Sequence, residues 1–232
     1  MKLHRFIGDF NLQKPTITIN DREIINQIKN VLRLNVGEEI ILADPHSNEA
    51  LVTIIKLEKD SADVEILTVS QNKNEPKNRV ALYCAVLKKE SFEIVVQKAT
   101  EVGVIEIIPI ITKRTVKFGL RQDRLEKIVK EAAEQSGRGI VPTISPLIKF
   151  EEAVKSADES NDVNFLFTQN GSPFQKISEN GARIGIFIGP EGGWDQSEYD
   201  LALKSKFQIA NLCALTLRAE TAAIIASYLA TY

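Results

Sequence analysis

Two short stretches late in the chain hold the residue types best suited to chemistry. They are Ile188-Gly189-Pro190-Glu191-Gly192-Gly193-Trp194 and Leu217-Arg218-Ala219-Glu220-Thr221-Ala222. In the first, Gly189, Gly192 and Gly193 let the backbone approach a ligand closely and adopt positive φ. Backbone N–H groups at a helix start ordinarily select a phosphate. Here an acid, Glu191, sits inside the turn and no Lys or Arg accompanies it. An anion in that place disfavours a polyphosphate and suits a neutral, zwitterionic or cationic ligand. The phosphate-binding pattern G-x-x-x-x-G-K-[ST] is absent. The same residues also fit a plain surface turn with Glu191 solvated, and spacing alone leaves both readings open.

The elements around these turns give them a setting. Each follows a strand-like run, Arg183–Ile188 or Gln208–Cys213, and each leads into a helix. Asp195-Gln-Ser-Glu198 is a capping-box pattern that starts the first helix, and the alanine-rich run 219–230 forms the second. In open α/β sheets ligands sit beyond the carboxyl ends of strands, so the two turns read as two walls of one pocket. Upstream, Val80–Val86 is strand-like with little alternation, as expected for a strand covered on both faces. Phe92, Val95, Val96, Ala99 and Val102 recur at helical spacing and end at Gly103. Val104–Ile111 and Val163–Thr168 are further strands, and Leu125, Ile128, Val129, Ala132 and Ala133 mark a helix ending near Gly137. The Rossmann fingerprint is missing, since Val80–Val86 is followed by Leu-Lys-Lys-Glu-Ser-Phe without a glycine.

Residues 1–69 show a different texture. Thr16–Ile19, Glu39–Leu42, Ala50–Ile55 and Ala62–Leu67 alternate as strands. One helix interrupts them, capped by Asn20 with Glu23 at N3, and Ile24, Ile25, Ile28, Val31 and Leu32 form its apolar stripe. Residues 70–79 are polar, with no apolar anchor through Asn78, and read as a linker to a parallel-sheet α/β domain over 80–232.

Composition bounds the class. The 232 residues are 44% hydrophobic and 26% charged, an ordinary globular profile. A net charge of −2 argues against binding polyanions through bulk charge, though not against a local basic surface. No apolar run reaches membrane-span length and Met1-Lys-Leu-His-Arg-Phe lacks a signal-peptide core, so a cytoplasmic location is expected. With two cysteines and two histidines no metal cluster is expected, and Cys84 and Cys213 in their apolar runs are expected to be buried free thiols.

Taken together, Gln97-Lys-Ala-Thr-Glu-Val-Gly103, Glu131-Ala-Ala-Glu-Gln-Ser-Gly-Arg138, Ile188-Gly-Pro-Glu-Gly-Gly193 and Leu217-Arg-Ala-Glu-Thr-Ala222 resemble the RsmE family. Leu3-His-Arg-Phe6 and Val31-Leu-Arg-Leu34 are similar to that family's PUA-like segments, so the resemblance spans nearly the whole chain. It departs at Leu212–Leu217, where family members usually carry a glycine–proline pair, and at Asp44-Pro-His-Ser-Asn48, where an aspartate–glycine turn is usual.

The resemblance implies a SPOUT-type α/β catalytic domain with a parallel sheet and trefoil knot, preceded by a small β-rich PUA-like RNA-binding domain. It implies S-adenosylmethionine-dependent methylation of uridine N3 in 16S ribosomal RNA of the small subunit, by a homodimer. The cofactor would lie on Thr168, Gly189, Pro190, Glu191, Gly192, Gly193, Leu212, Leu217, Thr221 and Ala222. Arg218 would stabilise the developing imide anion, with Glu220 or Glu101 as base. Glu220 also suits the helix start on charge grounds alone, and Lys98 and Glu101 suit a simple i, i+3 pair. Arg5, Arg33, Gln135 and Arg138 are the expected RNA contacts, with Lys88, Lys89, Lys113, Arg114 and Lys117 as further basic candidates. Gln135 and Arg138 equally suit capping of a helix end or contact with a partner chain. Other targets for the same chemistry, or an RNA-binding relative without activity, remain alternatives.

Overall fold

The computed structural model describes residues 3–116, 119–175, 177 and 181–232, leaving aside the side chain of Lys89. The chain divides into two compact units, residues 1–75 with 133–140, and residues 76–132 with 141–232.

The first unit is a five-stranded sheet with one helix. Its strands are β1 (His4–Ile7), β2 (Thr16–Ile19), β3 (Glu39–Ala43), β4 (Asn48–Leu57) and β5 (Ala62–Gln71), in spatial order β1-β3-β4-β5-β2. β1 pairs parallel with β3 and the other pairs are antiparallel. Alternate residues Ile40, Leu42, Ala50, Val52, Ile54, Ala62 and Val64 point to one buried face, where Phe6, Ile19, Ile24 and Ile28 meet them.

Two expectations for the helix α1 (Arg22–Asn26) need correction. Its cap is Asp21, not Asn20: the Asp21 carboxylate accepts from the backbone N–H of Glu23 at 2.8 Å and of Ile24 at 3.0 Å. The helix then continues as a π-helical turn, Gln27–Val31. The wider turn rotates the apolar stripe out of phase, and Val31 emerges into solvent at 65% exposure.

The polar segment after β5 is held by polar rather than apolar anchors. Asn72 Nδ2 donates to Glu49 at 2.9 Å and to the Gly137 carbonyl at 3.1 Å. Glu75 forms an ion pair with Arg138 at 2.8 Å.

The second unit is a parallel sheet of seven strands, β6 (Arg79–Ala85), β7 (Glu106–Ile111), β8 (Thr143–Ile144), β9 (Ile148–Lys149), β10 (Val163–Pro173), β11 (Arg183–Ile188) and β12 (Gln208–Asn211). Their order is β12-β10-β11-β6-β7-β8, with β9 also on β7. The helices α2 (Lys89–Glu101), α4 (Phe150–Ser160), α5 (Gln196–Lys204) and α6 (Ala219–Thr231) complete it, with α3 (Gln122–Ser136) up to Ala132, its last residues being counted in the first unit. The lack of alternation in β6 has a direct cause. Val80, Leu82 and Cys84 enter one buried cluster, while Ala81, Tyr83 and Ala85 enter another on the opposite face. The first cluster is closed by Phe92, Val95, Val96 and Ala99 of α2 and by Ala219, Ala223, Ala226 and Ala230 of α6. Small alanines let α6 approach β6 and β11 closely.

No helix among the described residues is long and apolar enough to cross a membrane.

Candidate active site

Strand order and direction create the site. β12, β10 and β11 are adjacent and parallel, so their carboxyl ends lie along one edge of the sheet. The residues at that edge are Thr168–Asn170, in the irregular stretch of β10 between Phe167 and Ser172, and the loops Gly189–Trp194 and Leu212–Leu217 that follow β11 and β12. Together they line a cleft of about 260 Å³. Thr168, Gly189, Pro190, Glu191, Gly193, Leu212, Leu217 and Ala222 all border it. Gly192 and Thr221 do not line it.

Sequence reasoning passed over several wall residues. Phe167, Ile188, Trp194 and Leu215 supply apolar surface, and Gln169, Asn170, Asn211 and Thr216 supply polar groups. All lie on these three stretches or on the residue directly before one of them, so their neighbours in sequence were the available signal. Gln169 and Thr216 hydrogen-bond across the cleft mouth. Cys213 also lines the cleft and is exposed, correcting its expected burial. The reason is that β12 ends at Asn211, two residues short of the expected strand end, and leaves Cys213 in the loop.

The turn between β11 and α5 is fixed on several sides. Gly193 adopts φ +68°, a region that glycine enters without a Cβ clash. A Cβ on Gly189 would lie 3.0 Å from the Trp194 ring, so glycine here lets the indole close over the backbone. The indole N–H of Trp194 donates to the Phe167 carbonyl at 2.9 Å, and the ring packs against Phe150 with centroids 5.2 Å apart. Asp195 caps α5, and Glu198 accepts from the Asp195 backbone N–H at 2.8 Å, completing a capping box. Hydrogen bonds from Ser197 and Lys113, with the Lys113 charge, hold the Asp195 carboxyl down to about 2.

Charge in the cleft has one sign. Among the described residues lining it, Glu191 is the sole charged side chain. Beneath the edge, Cys84 pairs in register with Ile188, and burial, followed by the negative charges of Glu191 and Glu220, pushes its thiol well above the ordinary range. A cleft with apolar walls, amide and hydroxyl groups and a single carboxylate accommodates a flat apolar ring system with polar substituents and a cationic tail. It offers no cation to a phosphate. S-adenosylmethionine has that make-up, so the residues present fit the group. Among the described residues no cluster of three or more potential metal ligands occurs.

Arg218 precedes α6 and is 87% exposed, with Nη1 3.9 Å from a carboxylate oxygen of Glu220. Glu220 lies in the first turn of α6, where the helix dipole favours a negative charge. Glu101 is engaged by Lys98 at 2.8 Å on α2, the simple i, i+3 pair.

The expected RNA contacts fare unequally. Arg5 is 8% exposed and paired with Glu49 at 2.7 Å, and Arg138 is 5% exposed and paired with Glu75. Both guanidiniums are committed to the interior of the first unit, which removes them from the surface a phosphate would touch. Arg33 is exposed, in a left-handed conformation with φ +54°, and Gln135 is exposed near the end of α3. Lys88 is exposed. Lys113 and Arg114 bind the turn after β11 instead of standing clear of the protein. Lys117 lies outside the described residues, as does the side chain of Lys89.

Comparison with known proteins agrees with this geometry. A model of the RNA methyltransferase domain matches residues 73–231, and a model of the RNA methyltransferase PUA domain matches residues 19–67. Ribosomal RNA small subunit methyltransferase E of Mesomycoplasma hyopneumoniae is 35% identical over 176 residues, 74% of this chain and 77% of that protein. The enzyme of the same name from Rickettsia conorii is 29% identical and covers 97% of this chain and 94% of its own. The crystal structure of that enzyme from Neisseria gonorrhoeae, bound to S-adenosylmethionine, superposes with a TM-score of 0.88 at 31% identity, covering 97% of this chain and 95% of its own. A Legionella pneumophila methyltransferase structure with the same cofactor gives 0.87 at 26% identity, covering 98% and 96%. A parallel α/β domain, a PUA-type domain ahead of it and this match place the chain in the RNA methyltransferase family of ribosomal RNA small subunit methyltransferase E.

Proposed function

We propose that the chain methylates uridine N3 of 16S ribosomal RNA in the small subunit, using S-adenosylmethionine, as a cytoplasmic homodimer. The observation that carries this reading is the cleft beyond β10, β11 and β12, whose lining holds one carboxylate and no cation among the described residues. Residues 1–69 would serve RNA binding, 70–79 the connection, and 80–232 catalysis. The segment carrying β11, β12 and α6 would be threaded as a trefoil knot around the cofactor.

When bound, the cofactor supplies an electrophilic methyl group on a sulfonium. The chain's own residues do the rest. Backbone groups of Gly189, Pro190 and Gly193, with Thr168, Leu212, Leu217 and Ala222, would hold and orient the nucleoside and the amino-acid tail. The Glu191 carboxylate favours a cationic tail over a neutral one.

Uridine N3 carries a proton at neutral pH, so it must be deprotonated as it is alkylated. Arg218, exposed beside the cleft, can close on O2 or O4 of the base and stabilise the imide anion. A guanidinium cannot accept the proton. Glu220 is the better placed acceptor, because it lies beside Arg218 whereas Glu101 is held by Lys98 on α2. Exposed Arg33 and Gln135 remain the proposed RNA contacts.

Homodimer formation has a ready surface. Ile225, Tyr228 and Leu229 on α6 and Tyr232 at its C-cap recur at helical spacing and are 36%, 53%, 38% and 50% exposed.

The test is methyl transfer from labelled S-adenosylmethionine to small subunits taken from cells lacking the modification, with nucleosides identified by mass spectrometry. The expected product is N3-methyluridine at one site, lost in Arg218→Ala while the fold and dimer persist. Wild-type turnover by Arg218→Ala would remove that residue from the mechanism. Cofactor binding with no methylated uridine would redirect the search to another RNA.

A further inference from the structure

A buried carboxylate lies just outside the cleft. Glu198 is 2% exposed, and a buried carboxylate is costly unless its oxygens are satisfied. Both of them are. Oε2 accepts from the backbone N–H of Asp195 at 2.8 Å, and Oε1 accepts from the backbone N–H of Lys113 at 2.7 Å. The first bond is the ordinary capping-box contact. The second reaches across 85 residues to the loop that follows β7.

That loop grips the turn at further points. Lys113 Nζ donates to Asp195 at 3.0 Å and to Ser197 at 2.6 Å, and Arg114 Nη1 donates to the Gly192 carbonyl at 2.8 Å. Those contacts are exposed and therefore weak singly. The Glu198 bonds are charge-assisted and shielded from water, so they dominate the fastening.

We propose that Glu198 is a positioning residue for the methyl-transfer site, fixing the glycine turn to the β7–α3 loop and so setting the wall of the cofactor cleft. This rests on the methyltransferase reading of the cleft. A helix cap alone requires only the Asp195 bond. The Lys113 bond has no capping purpose, and it makes the position of Gly189–Trp194 depend on a loop more than seventy residues earlier in the chain.

Glu198→Gln is nearly isosteric but replaces one acceptor by an amide donor. Whichever way the amide faces, one of the two backbone N–H groups loses its partner. Trp194 is the single tryptophan of the sequence and sits next to Asp195, so its fluorescence reports the turn without any ligand. Acrylamide quenching of Trp194 is expected to rise in Glu198→Gln, with far-ultraviolet circular dichroism unchanged. Calorimetric Kd for S-adenosylmethionine is expected to weaken about ten-fold, the scale of one charge-assisted bond.

Lys113→Pro removes the other half of the same bond, with Lys113→Ala as its reference for loss of the side chain. The double variant Lys113→Pro/Glu198→Gln is expected to be no worse than the more impaired single variant. Additive losses, or a lower Tm with unchanged quenching and unchanged Kd, would show that Glu198 is a helix cap only. Wild-type protein that binds no S-adenosylmethionine would defeat the methyltransferase reading, and the quenching arm would still decide the role of Glu198.

Discussion

The indole nitrogen of Trp194 lies 2.9 Å from the carbonyl oxygen of Phe167, so the turn after β11 is bolted to its neighbour β10. Two of the three walls of the cleft are thereby a single rigid piece. Trp194→Phe keeps a ring against Phe150 but leaves that carbonyl without its donor. The expected cost is about 1 kcal/mol in urea unfolding followed by circular dichroism, and a weaker cofactor Kd. Unchanged stability and affinity would mean that ring packing alone seats the turn.

Glu191 tests the charge argument directly. In Glu191→Gln the cleft keeps its shape and loses the one lining charge among the described residues. The preference for S-adenosylmethionine over neutral S-adenosylhomocysteine is expected to shrink by roughly two- to five-fold, the scale of an exposed ion pair. Calorimetry with both compounds measures the ratio. An equal loss of affinity for the two would point to a hydrogen bond rather than to charge.

Arg138 should matter to folding more than to RNA. Arg138→Ala strands Glu75, whose carboxylate also accepts from the backbone N–H of Gly139 at 2.8 Å. Breaking a buried pair from one side is expected to cost about 3 kcal/mol in chemical unfolding. An unchanged midpoint with reduced RNA affinity would return Arg138 to the interface.

The capping carboxylate of α5 sets an acid limit. Asp195 titrates at about 2 in the folded protein, below its ordinary value of 3.8. A lowered folded value stabilises above the unfolded one, so the contribution is complete above about pH 4 and is lost as pH falls through 2. The stability difference between wild type and Asp195→Asn is therefore expected to be constant at neutral pH and to fade below pH 4. A carboxyl signal titrating near 3.8 by NMR would contradict the Ser197 and Lys113 bonds.

Local patterns made much of the architecture readable. Unbroken apolarity in β6 announced a strand covered on both faces, and the 183–188 run with its capping box announced β11 and α5. What escaped was settled by contacts distant in sequence. The α4 helix, with Phe150, Ala153, Val154 and Ala157 buried, has a helical stripe that went unused because its neighbourhood is polar. Short strands such as β8 and β9 form only because β7 offers an edge. Arg5 and Arg138 look like surface cations in sequence, since nothing local shows that Glu49 and Glu75 will bury them. The cleft followed from two motifs, but its third wall at Thr168–Asn170 came mostly from strand order, which periodicity does not encode.

Every described residue lining the cleft falls within 167–222. A ribosome delivers those residues after both strands β6 and β7, around which the sheet is laid. The first unit also waits for part of the later sequence, since residues 133–140 belong to it. During synthesis the nascent chain therefore has no place to hold a cofactor until α6 has emerged, and occupancy becomes a signature of a chain made through α6. A ligand that binds only the completed fold would then stabilise whole chains and do nothing for truncated ones.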